Sequence, residues 1–317
     1  MAQDPHATVS PVGSFDRAPF LKAARRRLEK LALDVTGPMA GGPSINYLEP
    51  AGDPGVFGPD SVTWRVLSNP ATVFMGGVAA VLFELAEPRV RSGVWDHTDF
   101  RRDPARRVQR TGLATMVFTY GPTRDVEALT SRVRRLHERV RGTTPEGQPY
   151  DANDPELLTW VYVTAGYGFL NAYLRYANPR LSRAEQDRYY AESMHACRYY
   201  GIKRIPASVR EVEGYLEAMR PRLRHHEIVD EFLRLVSDVP LAAAPALPVQ
   251  RLLVQAAVGL LPPWARGLLK LNRGQRWRHA AGPLIHTIAA LSGRLVHNGA
   301  PQQACRRMGR PASLLAR

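Results

Sequence analysis

The residues best able to do chemistry sit on two consecutive stretches with helical spacing. Over 104–119, Arg107 and Thr111 are four residues apart and share a face, with Arg110 one position off it. Over 125–140 the apolar stripe is Leu129, Val133, Leu136 and Val140. His137 lies at its edge, four residues before Arg141. The Gly121-Pro122 connection is short, which favours antiparallel packing of the two helices. Packed so, Arg107, Arg110, Thr111 and His137 converge on one cavity. A lone imidazole facing an apolar cavity is what a haem iron takes as its proximal ligand, and the haem propionates take arginines. The same spacing also describes an ordinary surface histidine and a solvated arginine face, so on spacing alone both readings stand.

The other candidates are weaker. His97 lies in Asp96-His97-Thr98-Asp99, a polar cluster after an extended turn; it reads as fixing that turn or lining a pocket mouth, with a second iron or metal site as the alternative. His195 and Cys197 sit mid-helix in MHACRYY, and Cys197 lacks the glycine-flanked loop of a thiolate haem ligand, so it reads as a small buried hydrophobe. His225-His226-Glu227 lacks the HExxH spacing and reads as a helix start. Tyr189-Tyr190 reads as packing. There is no phosphate-binding glycine loop, dinucleotide fingerprint or nucleophile elbow.

The elements that must hold these residues are helical. Thr72–Leu85 is apolar all round, with Gly76-Gly77 inside, and belongs in the centre of a core where another backbone or a flat ligand can approach the glycines. A helix starts near Ser61 and Asn69-Pro70 interrupts it; Pro88 ends the apolar one. Asp154-Pro155 opens a helix carrying Trp160, Phe169 and Tyr173. Capping boxes at Ser182–Glu185 and Ser208–Glu211 open helices through Tyr200 and Met219. Further helices read over 15–35, 249–261, 268–271 and 280–296, with a long loop over 36–60 and an Ala/Pro-rich linker at 241–248. No period-two alternation and no internal repeat is visible. The expected fold class is all-α: a disordered tail over 1–15, one multi-helix domain over 16–300 and a basic tail over 301–317.

The composition narrows the partners. The 317 residues carry 43 Lys+Arg against 29 Asp+Glu, a net charge of +14. Only four of the basic residues are lysines, and the arginines are spread through helices without a long run. Such a balance suggests nucleic acid or an anionic membrane surface, or merely an arginine-rich proteome; the dispersion speaks against nucleic acid. Two cysteines give no disulfide framework and fit a reducing compartment. The start has no secretory pattern, and the longest apolar run, Val73–Ala86, contains Glu84 and is too short to span a bilayer. A cytoplasmic location without a transmembrane segment is expected.

An ordered series of segments carries a family resemblance: GVWDHTDF (93–100), RRVQRTGLATMVFTYG (106–121), RVRRLHERVRG (132–142), Tyr150, DPELLTWVYVT (154–164), FLNAYLRY (169–176) and LSRAEQDRYYAE (181–192). Over roughly residues 60–265 the chain resembles the rubber-oxygenase catalytic domain, the family of latex-clearing proteins and of the MpaB-type oxygenase of mycophenolic acid biosynthesis. The resemblance implies an all-α fold binding one haem b, with His137 as proximal iron ligand. Arg107 and Thr111 match polar residues near the haem, and Arg141 matches a basic position that would pair a propionate. Two departures stand out: Thr98 where the family favours Ser, and Arg110 where latex-clearing proteins place a lysine. Arginine keeps its proton and is a poor iron ligand, so an open or water-bound sixth position is expected. The expected function is a haem b-dependent oxygenase using dioxygen on a small apolar substrate. Arg107, Arg110 and Thr111 are its candidate catalytic residues, and His137, Arg141 and Arg107 its cofactor-binding ones. An electron donor is left open. The alternatives are a haem protein without turnover, or a basic helical protein binding nucleic acid or an anionic membrane surface.

Overall fold

Two apolar helices cross at the centre of the molecule, and glycines set how closely they do so. A computed structural model describes residues 45–240 and 247–316. The tail expected over 1–15, the helix expected over 15–35, residues 36–44 of the loop expected over 36–60, and residues 241–246 of the expected linker lie outside the described residues. After α1 (Val62–Val66), α2 (Pro70–Glu84) starts where the side chain of Asn69 accepts the amides of Ala71 and Thr72 at 3.1 and 3.2 Å. The helix that begins after Ser61 thus stops before Asn69-Pro70, as its sequence suggests, and the proline sits in the first turn of the next, where its missing N–H costs nothing. The same logic applies to Pro88, which opens α3 (Pro88–His97) behind a Glu87 cap and leaves α2 to end at Glu84.

α2 packs most extensively on α6 (Pro155–Tyr176), the longest helix described. A Cβ on Gly168 would lie 2.3 Å from the Gly76 carbonyl oxygen, and one on Gly76 would lie 2.8 Å from the Phe169 Cα. Of the two readings of the α2 glycines, close backbone approach holds at Gly76. α11 (Leu247–Val258) and α14 (Gly282–Leu295) cover α2 from another side.

Around this centre run α4 (Pro104–Tyr120), α5 (Thr123–His137), α7 (Arg183–Glu192), α8 (Met194–Tyr200), α9 (Val209–Met219), α10 (Glu227–Asp238), α12 (Pro263–Leu268), α13 (Gln275–Ala280) and α15 (Ala300–Arg307). Both expected sites start helices: Ser182 and Glu185 form the full capping box, whereas Ser208 accepts from Glu211 N but the Glu211 carboxylate accepts from Ala207 N at 2.9 Å instead. The stretch expected as one helix through Tyr200 is broken at Ser193. Just before the break, the Glu192 carboxylate reaches across to accept the Val62 and Thr63 amides at 2.9 Å each.

The fold is all-α. The only strands among the described residues are β1 (Arg141–Thr143) and β2 (Pro149–Asp151), paired antiparallel with Gly142 opposite Tyr150. Three-residue strands are too short to show alternation, so the sequence does not announce them. Where the sequence suggests a basic tail over 301–317, the chain forms α15 and a 3-10 turn (Ala312–Ala316), with Ala304, Cys305, Leu314 and Leu315 buried. Arg307 is buried too, donating to the carbonyls of Asp53 and Tyr47 at 2.7 and 2.9 Å.

Among the described residues no single helix is long and apolar enough to cross a membrane. α2 and α3 would pass together, but they meet at a bend of 111°.

Candidate functional site

α4 and α5 are contacting neighbours joined at Gly121-Pro122, and Arg107 near the start of α4 acts electrostatically on His137 at the end of α5. Pro122 offers no side-chain cap to α5. Asp53 supplies it, accepting from the Thr123 amide at 2.9 Å and its hydroxyl at 2.8 Å. His137 is the last residue of α5.

Burial pushes the His137 imidazole below its ordinary value, and the Arg107 guanidinium pushes it further down; Asp151 and Asn153 act the other way. Its Nδ1 is fully buried, and the Asn153 side chain, which helps to raise the imidazole pKa, donates to the Arg134 carbonyl at 3.2 Å.

Arg107 is half-buried. Its guanidinium donates to the Thr111 hydroxyl, which in turn donates to the Arg107 carbonyl at 3.1 Å. Thr111 thereby orients Arg107 along the helix. Burial lowers the Arg107 pKa; Glu84 opposes this and Arg110 adds to it. Glu84, at the end of α2, is the residue that sequence reasoning missed. Burial pushes its carboxyl up to about 7, held back by Arg107 without a contact ion pair between them. The signal was in the sequence: Glu84 is the only charge in an apolar run, and there it served solely as an argument against a membrane span.

Glu84 also closes a stripe. On α2 the residues that keep partial exposure are Pro70, Phe74, Gly77, Val81 and Glu84, at helical spacing, while the other faces are buried. On α6, Leu158, Tyr162, Ala165 and Phe169 form a corresponding partly exposed stripe. The two adjoin at Phe169, whose ring lies 3.9 Å from where a Gly77 Cβ would be. The result is an apolar stripe with the Glu84 carboxyl at its end, near enough to Arg107 for that charge to hold its pKa down.

The structure thus brings together Arg107, Thr111 and His137 and adds Glu84. It does not bring in the other two expected residues. Arg110 is exposed on the neighbouring face of α4. Arg141 is 62% exposed on β1 and paired with Asp151 at 2.9 Å. His97 ends α3 rather than following an extended turn, and its Nε2 meets the Tyr150 hydroxyl at 3.0 Å. That bond ties α3 to the hairpin that follows His137. His195 is exposed, Cys197 is buried, and His226 caps α10 by accepting from the Ile228 amide at 3.2 Å. No group of three or more His, Cys, Asp or Glu suited to a metal ion occurs among the described residues.

Residues 64–293 match the family model of the ER-bound oxygenase mpaB/B'/rubber oxygenase catalytic domain. The chain belongs to this family. The matched region runs from α1 into α14 and contains Glu84, Arg107, Thr111 and His137. Family membership supports an enzyme of the oxygenase type, acting with dioxygen on an organic substrate. No curated protein and no solved structure matches the chain.

The raised Glu84 pKa has a consequence for stability. The folded protein holds a proton on Glu84 that the unfolded chain, with an ordinary value of 4.5, releases between about pH 4.5 and 7. Stability contributed here is therefore lost as the pH rises through that window. Glu84→Gln removes the dependence, so melting temperature should fall less between about pH 5 and pH 8 in the variant than in the wild type. Parallel melting curves across this range would contradict the burial of the carboxyl.

Proposed function

We propose that the protein is a haem b-dependent oxygenase, with His137 as the axial ligand to iron, acting on a small apolar substrate. The observation that carries this reading is His137: a half-buried imidazole at the end of α5, kept neutral by burial and by the charge of nearby Arg107. These residues fit the group. A b-type haem needs one imidazole, apolar surroundings for its ring and cationic partners for its carboxylates. When bound, haem supplies the binding and activation of dioxygen.

The chain's own residues do the rest. The Arg107 charge and burial keep His137 deprotonated and able to act as a ligand. Arg107, aimed by Thr111, offers a fixed positive charge to oxygen-borne negative charge or to a carboxylate. Glu84, whose carboxyl titrates near neutrality, can take or give a proton at its carboxylate oxygens. The apolar residues of α2 and α6 exclude water and accept an apolar substrate. Arg110 stays at the rim, and Arg141 serves the hairpin. Both cysteines are free, in keeping with a reducing compartment, and cytoplasmic residence is part of the same proposal.

The test is direct. Purified protein supplied with haem should show a Soret band, a b-type pyridine haemochrome near one haem per chain, and oxygen uptake that depends on an added isoprenoid. Protein that stays colourless overturns the reading. Arg107→Ala should lower oxygen uptake on the order of a hundredfold, and Thr111→Val about tenfold, through loss of the bond that aims Arg107. Haem content of the same preparations separates the two roles of Arg107. Occupancy falls if it holds a carboxylate of the cofactor and is retained if it acts on oxygen.

A further inference from the structure

The face that borders the site carries a charge the fold does not neutralise. Segments 101–111 and 131–141 hold ten arginines against two acids, Asp103 and Glu138. Asp103 is engaged in capping α4, accepting from the Arg106 amide at 3.1 Å. Arg102, Arg106 and Arg110 recur every four residues at the start of α4, and Arg132, Arg135 and Arg139 form a stripe at the end of α5. All six are exposed, and none forms an ion pair with a carboxylate among the described residues. Because Arg107 near the start of α4 acts on His137 at the end of α5, the two stripes lie at the same end of the pair, beside Arg107 and His137. Like charges at such spacing repel one another, so the arrangement destabilises the isolated helices.

What would cover this face is set by what stands among the arginines. Leu136, 44% exposed, projects beside them. Neither segment contains a Trp, Tyr or Phe. A single-strand nucleic-acid platform stacks bases on aromatic residues, and protein interfaces anchor on Trp and Tyr together with Arg. Guanidiniums that pair with phosphate around an apolar side chain match the headgroup region of an anionic bilayer. We propose that the arginine face of α4 and α5 docks the protein on an anionic lipid surface and turns the mouth of its site toward the membrane. This surface does not depend on the haem reading, because the arginines and Leu136 attract lipid whether or not a cofactor is bound.

The experiment is co-sedimentation of the full chain with vesicles of phosphatidylcholine alone and of phosphatidylcholine mixed with phosphatidylglycerol. Binding is expected to the mixed vesicles only, and to weaken as salt shortens the screening length from about 10 Å at 0.1 M to about 3 Å at 1 M. Each arginine near the surface is worth about fivefold in partition. The triple variant Arg132→Gln, Arg135→Gln, Arg139→Gln should therefore bind on the order of a hundredfold more weakly. A control triple, Arg210→Gln, Arg234→Gln, Arg294→Gln, removes the same charge from exposed positions on α9, α10 and α14 and should keep near wild-type binding. Leu136→Asp should weaken binding without changing the helical circular dichroism. The proposal is overturned if the wild type ignores the mixed vesicles, if the control triple loses as much as the α5 triple, or if duplex DNA displaces the protein from the vesicles at equal phosphate.

Discussion

His137→Ala should lose haem, with affinity reduced more than about a hundredfold, because disturbing even the outer partners of a metal ligand costs 10–100-fold. Among the described residues, none of the other candidate histidines is placed to substitute. His97 is committed to Tyr150, His195 is exposed on α8, and His225 and His226 belong to the start of α10, where His225 also meets Asp230 at 3.2 Å. His97→Ala and His195→Ala should therefore keep the Soret band. His97→Ala should cost about 1 kcal/mol of stability through the hydrogen bond to Tyr150. His137→Gly offers a sharper control, since added imidazole can enter the space left by the side chain. Recovery of the spectrum with imidazole supports direct ligation. A full Soret band in His137→Ala without imidazole would remove the assignment, and with it the electrostatic role given to Arg107.

Gly168→Ala should be among the most destabilising single substitutions in the chain, at about 3 kcal/mol, the upper end of what overpacking a core costs. The added methyl would stand 2.3 Å from a backbone oxygen of Gly76, which no rotamer change can relieve. The helices must separate instead, and α2 and α6 are the central pair against which α11 and α14 pack. Gly166 on the same helix is the internal control. A methyl there meets only the ring of Tyr190 at 3.5 Å, an ordinary contact, so Gly166→Ala should change stability little. Denaturant midpoints of the two variants compare them directly. Equal midpoints would mean that α2 and α6 do not meet through Gly76 and Gly168.

The sequence made α4 and α5 legible because both show a helical apolar period and stop at strong punctuation. The same period puts Arg107 and Thr111 on one face of α4 and His137 at the end of α5. Three features escaped for physical reasons. Proline ends one helix and begins the next with equal ease, so Pro88 was read as a stop when it opens α3, and His97 was displaced from a helix end to a turn. The hairpin at 141–151 is too short for periodicity, and it takes Arg141 away toward Asp151. Glu84 lies in a run whose apolar neighbours identify a core helix but say nothing of which face stays open. Its role depends on Arg107, 23 positions further along the sequence and on a different helix.

The Asp53 cap on α5 also bears on how the chain folds. α4 and α5 are joined by a two-residue turn and can pair early, since local contacts close small loops. The anchor of α5 is not local. Asp53 holds Thr123 across 70 residues, and the segment containing Asp53 is held in turn by Arg307 across 254. Contacts of such separation are slow to form. The helix carrying the proposed ligand is thus assembled early and seated late, its final position waiting on a guanidinium near the opposite end of the chain. Arg307→Met, which keeps an apolar stem but removes the donors, would accordingly slow the last phase of folding and leave the α4–α5 pair to form at its own rate.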